Sequence, residues 1–184
     1  MTSCGYRWQP DYPEGGRPTV TVPYVIGDEE GLLTAEVIGA LSSSGLADVL
    51  HSGGDYRLQI SILASSNENV GYRRDPQKVD HKKMRNLLAS EGRKGMTIEA
   101  TLFKGSTDEI ASGPYKIEAS AVYDYVDGDS AQDLTFIDPA GTLVTVLPFS
   151  LGQLESNESA QEAAAKPLHR HLAQKIVDAI SSAW

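Results

Sequence analysis

Apolar and polar residues alternate through TVTVPYVI (19–26), where Val20, Val22 and Tyr24 fall on one face, a period of two that predicts a first strand. Pro23 sets that strand at a sheet edge or ends it. The following run, GDEEGLLTAEVIGALSSSGL, changes to a helical period. Leu33, Val37, Ala40 and Leu41 form one stripe, the acidic Asp28, Glu29 and Glu30 precede it, and Gly45 supplies a left-handed stop. DYRLQISILAS, MTIEATLFK and YKIEASAVYDY then alternate again, burying Leu58, Ile60 and Ile62, then Met96, Ile98, Ala100 and Leu102, then Ile117, Ala119, Ala121 and Tyr123. Three consecutive strands predict an antiparallel meander, with the turn residues of STDEIASGP between the last two.

Asp138-Pro139-Ala140-Gly141 suits a type I turn, so DLTFIDPAGTLVTVLPF reads as a further hairpin or as a long ordered excursion. The chain closes on a long helical stripe of Ala160, Ala164, Leu168, Leu172, Ile176, Ile180 and Trp184, with Ser159 and Glu162 as a capping box. Pro167 predicts a kink, or a helix that starts nearer that proline. Two amphipathic helices each need an apolar sheet face. The expected fold is therefore α+β: a two-layer sandwich, mainly antiparallel, of about four or more strands with both helices on one face. Residues 5–18, GYRWQPDYPEGGRP, resist both regular structures, which makes 1–18 a tether and 19–184 a single domain.

Length and charge refine this picture. A chain of 184 residues, 40% hydrophobic, suffices for one core, and no apolar run approaches the roughly 20 residues of a membrane-spanning helix. The net charge of −9 argues against nucleic acid as a general partner. That average hides a polarity: nine of the 16 Lys and Arg residues lie between positions 73 and 104, against four of the 25 acidic residues. Arg73, Arg74, Lys82, Lys83, Arg85, Arg93 and Lys94 belong to this basic island, which suits a localised anionic ligand; the same charges would also serve a solvated connection.

Catalytic signatures are missing: the chain has no GxSxG, HExxH, GxGxxG or P-loop. His169 and His171 stand two apart on a predicted helix and diverge by about 200°, too far to face one metal. Both read as surface or core-edge residues, and His51 and His81 as solvated ones. Asp127, Asp129 and Asp133 have the spacing of a calcium loop, but Gln132 stands where the turn glycine belongs and Asp138 where the glutamate belongs, so a solvated turn fits better. No cofactor is expected. The single cysteine, Cys4, cannot build a disulfide framework, and a Gly/Pro-rich terminus offers no base to activate it. Thr2-Ser3-Cys4 followed by glycine has the small, small, cysteine form that ends bacterial lipoprotein leaders, although an incidental free thiol has the same sequence.

Cys4-Gly5-Tyr6-Arg7-Trp8, the strand TVTVPYV and the helix LTAEVIGALSSSGL, in this order of elements, resemble the LPS-assembly lipoprotein LptE family over nearly the whole chain. Members of that family are outer-membrane lipoproteins of Gram-negative bacteria that plug the LptD β-barrel, bind lipopolysaccharide and help deliver it to the outer leaflet. The resemblance implies a non-enzymatic, lipid-anchored protein at the periplasmic face of the outer membrane. Cys4 would be its acylated residue, an LptD-like barrel its partner and lipopolysaccharide its ligand. The segment from Asp133 to Gln153 is longer than the family pattern, and the basic island is expected in a long connection between strands. Forked Arg73 and Arg74, with the island's lysines as point charges, would suit the phosphates of lipid A. Two other readings remain open. One is an accessory lipoprotein of a different envelope complex, such as a lipid-transport ABC system or a peptidoglycan-synthase activator. The other is a small hydrolase with a site near Asp124 and Asp127.

Overall fold

The computed structural model describes residues 16–74, 78–79, 82–83, 87–125, 135–145 and 157–181. In chain order they form β1 (Thr19–Thr21), α1 (Leu32–Ser44), β2 (Asp48–Leu50), β3 (Tyr56–Arg74), β4 (Lys78–Val79), β5 (Lys82–Lys83), β6 (Leu87–Lys104), β7 (Ile110–Asp124), β8 (Thr135–Ile137), β9 (Leu143–Thr145) and α2 (Asn157–Ile180). One sheet has the order β2-β1-β3-β6-β7, and β4-β5 and β8-β9 are separate two-stranded ladders. The class is α+β as expected. The sheet is mixed, because β1 runs parallel to both β2 and β3.

The residues divide into two compact units. One draws on Met1–Leu63, Thr97–Ile117 and His169–Trp184. In it Val20, Leu33, Val37, Leu41, Leu58, Ile98, Ala100, Leu102, Leu172, Ile176 and Ile180 are completely buried, so the stripes of both helices and the alternating positions of the strands meet in one core. β1 is not an edge strand: the three-residue β2 covers its far side. Pro23 has no N–H to donate, so pairing stops at Thr21 and resumes at Ile26, which bridges to Ser61. The interruption shifts the alternation. Val25 is buried and Tyr24, expected on the inner face, is exposed.

Helix α1 starts after Gly31 in a left-handed conformation and stops at Gly45 in another. One of its orphan N–H groups, that of Thr34, is served from within the core. The Asp28 carboxylate accepts from the Thr34 N–H (2.8 Å) and the Thr34 hydroxyl (2.7 Å), and that hydroxyl accepts from the Val25 N–H (3.1 Å). All three bonds are buried. Replacing Thr34 by valine keeps the volume, leaves the Val25 N–H without its acceptor and removes one of the two donors to Asp28, so urea denaturation of Thr34→Val should show a loss of about 2 kcal/mol. An unchanged midpoint would remove this relay from the account of α1.

β1 is fastened to β3 at the surface. Thr19 donates its N–H (3.0 Å) and its hydroxyl (2.7 Å) to the Asp55 carboxylate. These two donors hold the Asp55 carboxyl below its usual range, the hydroxyl contributing most.

The other unit draws on Ala64–Met96 and Glu118–Leu168. The Tyr123 and Tyr125 rings, with centroids 6.0 Å apart, pack with Ala160 and Ala164 of α2 and the half-buried Ala121. The room for this comes from Gly92, where a Cβ would lie 2.4 Å from the Tyr123 ring. The Tyr125 hydroxyl donates to Asn69 Oδ1 (2.9 Å), and its N–H donates to the Ser90 carbonyl (3.1 Å). The latter bond and the bond from the Lys104 N–H to the Glu109 carbonyl make β6 and β7 antiparallel, as their five-residue connection requires.

Helix α2 runs unbroken through Pro167, so it does not begin near that proline. Pro167 and Ala163, whose carbonyl loses its helical donor, are both on the exposed side, where solvent can replace the bond. The helix already includes Asn157, which puts Ser159 inside the first turn rather than at the cap.

Candidate functional site

Much of the basic island is strand rather than connection. β3 continues to Arg74 and β6 begins at Leu87, so Arg73 and Arg74 are the last two residues of β3. Between these strands Lys78 pairs with Lys83 and Val79 with Lys82, an antiparallel ladder joined by two residues. Two like charges therefore occupy one rung, an arrangement that is destabilising by itself and that an anion would relieve. Lys78 was not among the expected site residues. Its signal was the pattern KVDHK, two short strand ends around a two-residue turn.

The other candidates are engaged by the protein. Arg93 Nη1 lies 3.3 Å from Glu68 Oε1 while remaining accessible, and Lys94 Nζ donates to the Gln161 carbonyl of α2 at 3.4 Å. Asn67 donates to the side chain of the same Gln161 at 3.4 Å, so Lys94 belongs to the contact between sheet and helix within this unit. Lys104 pairs with Glu109, which raises the lysine pKa. Arg85 and Cys4 lie outside the described residues.

The acidic candidates separate as well. Asp124 is exposed at the end of β7, and Asp127, Asp129 and Asp133 lie outside the described residues. Asp138 opens the β8-β9 hairpin: its carbonyl accepts from the Gly141 N–H (2.9 Å) and its Oδ1 from the Thr142 N–H (2.8 Å). Gly141 has φ 82°, which explains the glycine there. His169 is buried and His171 and His51 are exposed, and no group of three potential metal ligands occurs among the described residues. A shallow depression is lined by Tyr24 to Glu29, and its Asp28 is the carboxylate already bonded to Thr34.

No protein-family model and no curated protein matches the chain. Solved structures do. A minor lipoprotein from Acinetobacter baumannii superposes with a TM-score of 0.52 over 90% of this chain and 91% of its own, at 12% identity. Rare lipoprotein B from Shewanella oneidensis gives a TM-score of 0.43 at 19% identity, covering 89% of this chain and 94% of that one. An uncharacterised lipoprotein B from Nitrosomonas europaea gives 0.48 at 12% identity, covering 91% and 83%. The first of these similarities shows a shared fold.

Proposed function

We propose that the chain is a lipid-anchored, non-enzymatic protein of the outer membrane, on its periplasmic face, that binds lipopolysaccharide and assembles with an LptD-like β-barrel. The observation that carries this reading is the clustering of cations at the end of β3 and along β4 and β5, in a protein that is otherwise strongly acidic. A like-charge rung only a few residues along the chain from a pair of arginines favours a compact anion such as a lipid phosphate, where Arg supplies forked donors and Lys point charges. The fold shared with a minor lipoprotein supports the envelope setting. Among the described residues, the sheet face opposite the core carries the exposed Glu99 and Lys116 and the half-buried Gln59, Ser61 and Thr101 beside the exposed Leu63, a largely polar surface of the kind that a water-filled barrel interior accommodates.

Arg73→Glu combined with Arg74→Glu tests this. Each cation near an anionic lipid surface contributes about 1 kcal/mol, so the double reversal should weaken binding to lipopolysaccharide by tenfold or more and flatten its salt dependence. Lys166→Glu with Lys175→Glu is the equal charge change on α2 and should have little effect. Equal weakening in both pairs assigns the attraction to net charge, and no weakening in either leaves the island a solvated surface; both outcomes overturn the proposal. Co-purification with an inner-membrane complex rather than a large barrel would favour a different envelope machine.

A further inference from the structure

Residues 139–154 are the longest stretch of the chain without a charged side chain, in a sequence of which 22% is charged, and Asp138 is the sole charge between Leu134 and Leu154. The β8-β9 hairpin opens this stretch as a ladder separate from the main sheet. Its register sets Phe136 opposite Val144 on one face and Ile137 opposite Leu143 on the other, so neither face carries a charge. Val144 is half-buried, whereas Ile137 is 71% exposed, more than any other large apolar residue among those described. Pro139, Ala140, Gly141 and Thr142 are exposed too, and among the described residues no atom lies within 4 Å of the place that a Gly141 Cβ would take. We infer that this hairpin docks on a lipid bilayer, with the Ile137-Leu143 face in the apolar layer and the turn at the headgroup boundary.

The chemistry of the tip selects a bilayer over a protein partner. Ile137, Pro139, Ala140 and Gly141 have no side-chain donor or acceptor to pair with a patterned polar surface, so what draws them in is the non-directional burial of apolar area. The polar groups of the turn are closed on one another. The Asp138 N–H donates to the Thr142 carbonyl (3.0 Å), the Gly141 N–H to the Asp138 carbonyl (2.9 Å) and the Thr142 N–H to Asp138 Oδ1 (2.8 Å). Groups satisfied in this way lose little when water is removed from around them. The charge of Asp138 sets the depth, because a carboxylate is costly below the headgroups. One apolar rung buries less than an acyl chain, which alone gives only marginal, reversible binding. The hairpin therefore orients a body held by an anchor and does not replace the anchor.

The test titrates the full chain, expressed without a leader so that Cys4 carries no lipid, with phosphatidylcholine vesicles, and reads the bound fraction by sedimenting them. The wild type should partition weakly and to the same extent at low and high salt, since no charge makes the contact. Ile137→Asp should weaken the partition at least tenfold, and Ile137→Trp should strengthen it, because indole favours the interface. Ile110→Asp, the same change at another exposed isoleucine, should leave it unaltered. Circular dichroism shows that each variant is folded. No partition at the highest lipid concentration overturns the inference, as do equal losses in the two aspartate variants, a partition abolished by salt, or an Ile137→Trp variant that binds no better. Self-association of the wild type in place of vesicle binding, removed by Ile137→Asp, would make the hairpin a contact between copies and also overturn it. Phosphatidylcholine has no net charge, and Arg73 and Arg74 are unchanged in these variants, so this proposal and the lipopolysaccharide reading can each fail without the other.

Discussion

Leu172→Asp is expected to abolish the cooperative unfolding of the chain, and Ile176→Asp to do the same. Both side chains are completely buried, four residues apart on the inner stripe of α2. Truncating a buried leucine alone costs about 2–5 kcal/mol. A carboxylate put in its place adds several more, whether it stays ionised without a partner or takes up a proton to escape charge. A domain of this size commonly has only about 5–15 kcal/mol in total, so either substitution consumes most of it. His171 lies on the exposed side of the same helix. His171→Asp should therefore shift stability by about 0.5 kcal/mol or less. Thermal melts followed by circular dichroism distinguish the cases. A native melting temperature in both buried variants would mean that this stripe does not form the core.

That prediction was available from the sequence because α2 repeats its apolar residues every fourth position, from Ala160 to Ile180, and every one of them is buried. The alternation of Leu58 with Ile60, and of Ile98, Ala100 and Leu102, was legible for the same reason: one side of each strand faces the core and the other faces solvent. The remainder of β3 carries no such signal. From Leu63 to Asn69 every residue is exposed, so selection for burial leaves no period to detect, and a polar strand reads as a loop. That is why the basic island was expected in a connection and lies largely on strands. β2 is three residues long, too short for any pattern, and without it the position of β1 inside the sheet edge could not be foreseen. The candidate site was legible as charge, since residue type alone reveals an excess of cations. Its internal order was not, because the pairing of Lys78 with Lys83 depends on register, and the engagement of Arg93 and Lys94 depends on Glu68 and Gln161, which are distant in sequence.

A second large effect is expected at Cys4, where the readout is partition between membrane and aqueous fractions. No helix among the described residues is long and apolar enough to cross a membrane. Each buried methylene of an acyl chain contributes about 0.8 kcal/mol, and two or more chains hold a protein stably where one gives only marginal binding. On the proposed function, losing the Cys4 thiol should therefore move the protein almost wholly out of the membrane fraction. Expressed in a Gram-negative host behind a lipoprotein leader that ends at Thr2-Ser3, the wild type should incorporate labelled palmitate and sediment with outer membranes. Cys4→Ala should lose the label and either remain unprocessed or appear in the soluble fraction, while its purified body melts as the wild type does. The melting control matters, because a variant that merely misfolds can also change fraction. Unlabelled, soluble protein from both chains would remove the anchor and make Cys4 an incidental thiol. Membrane retention of both without label would point to the protein's partner, rather than a lipid, as what holds it there.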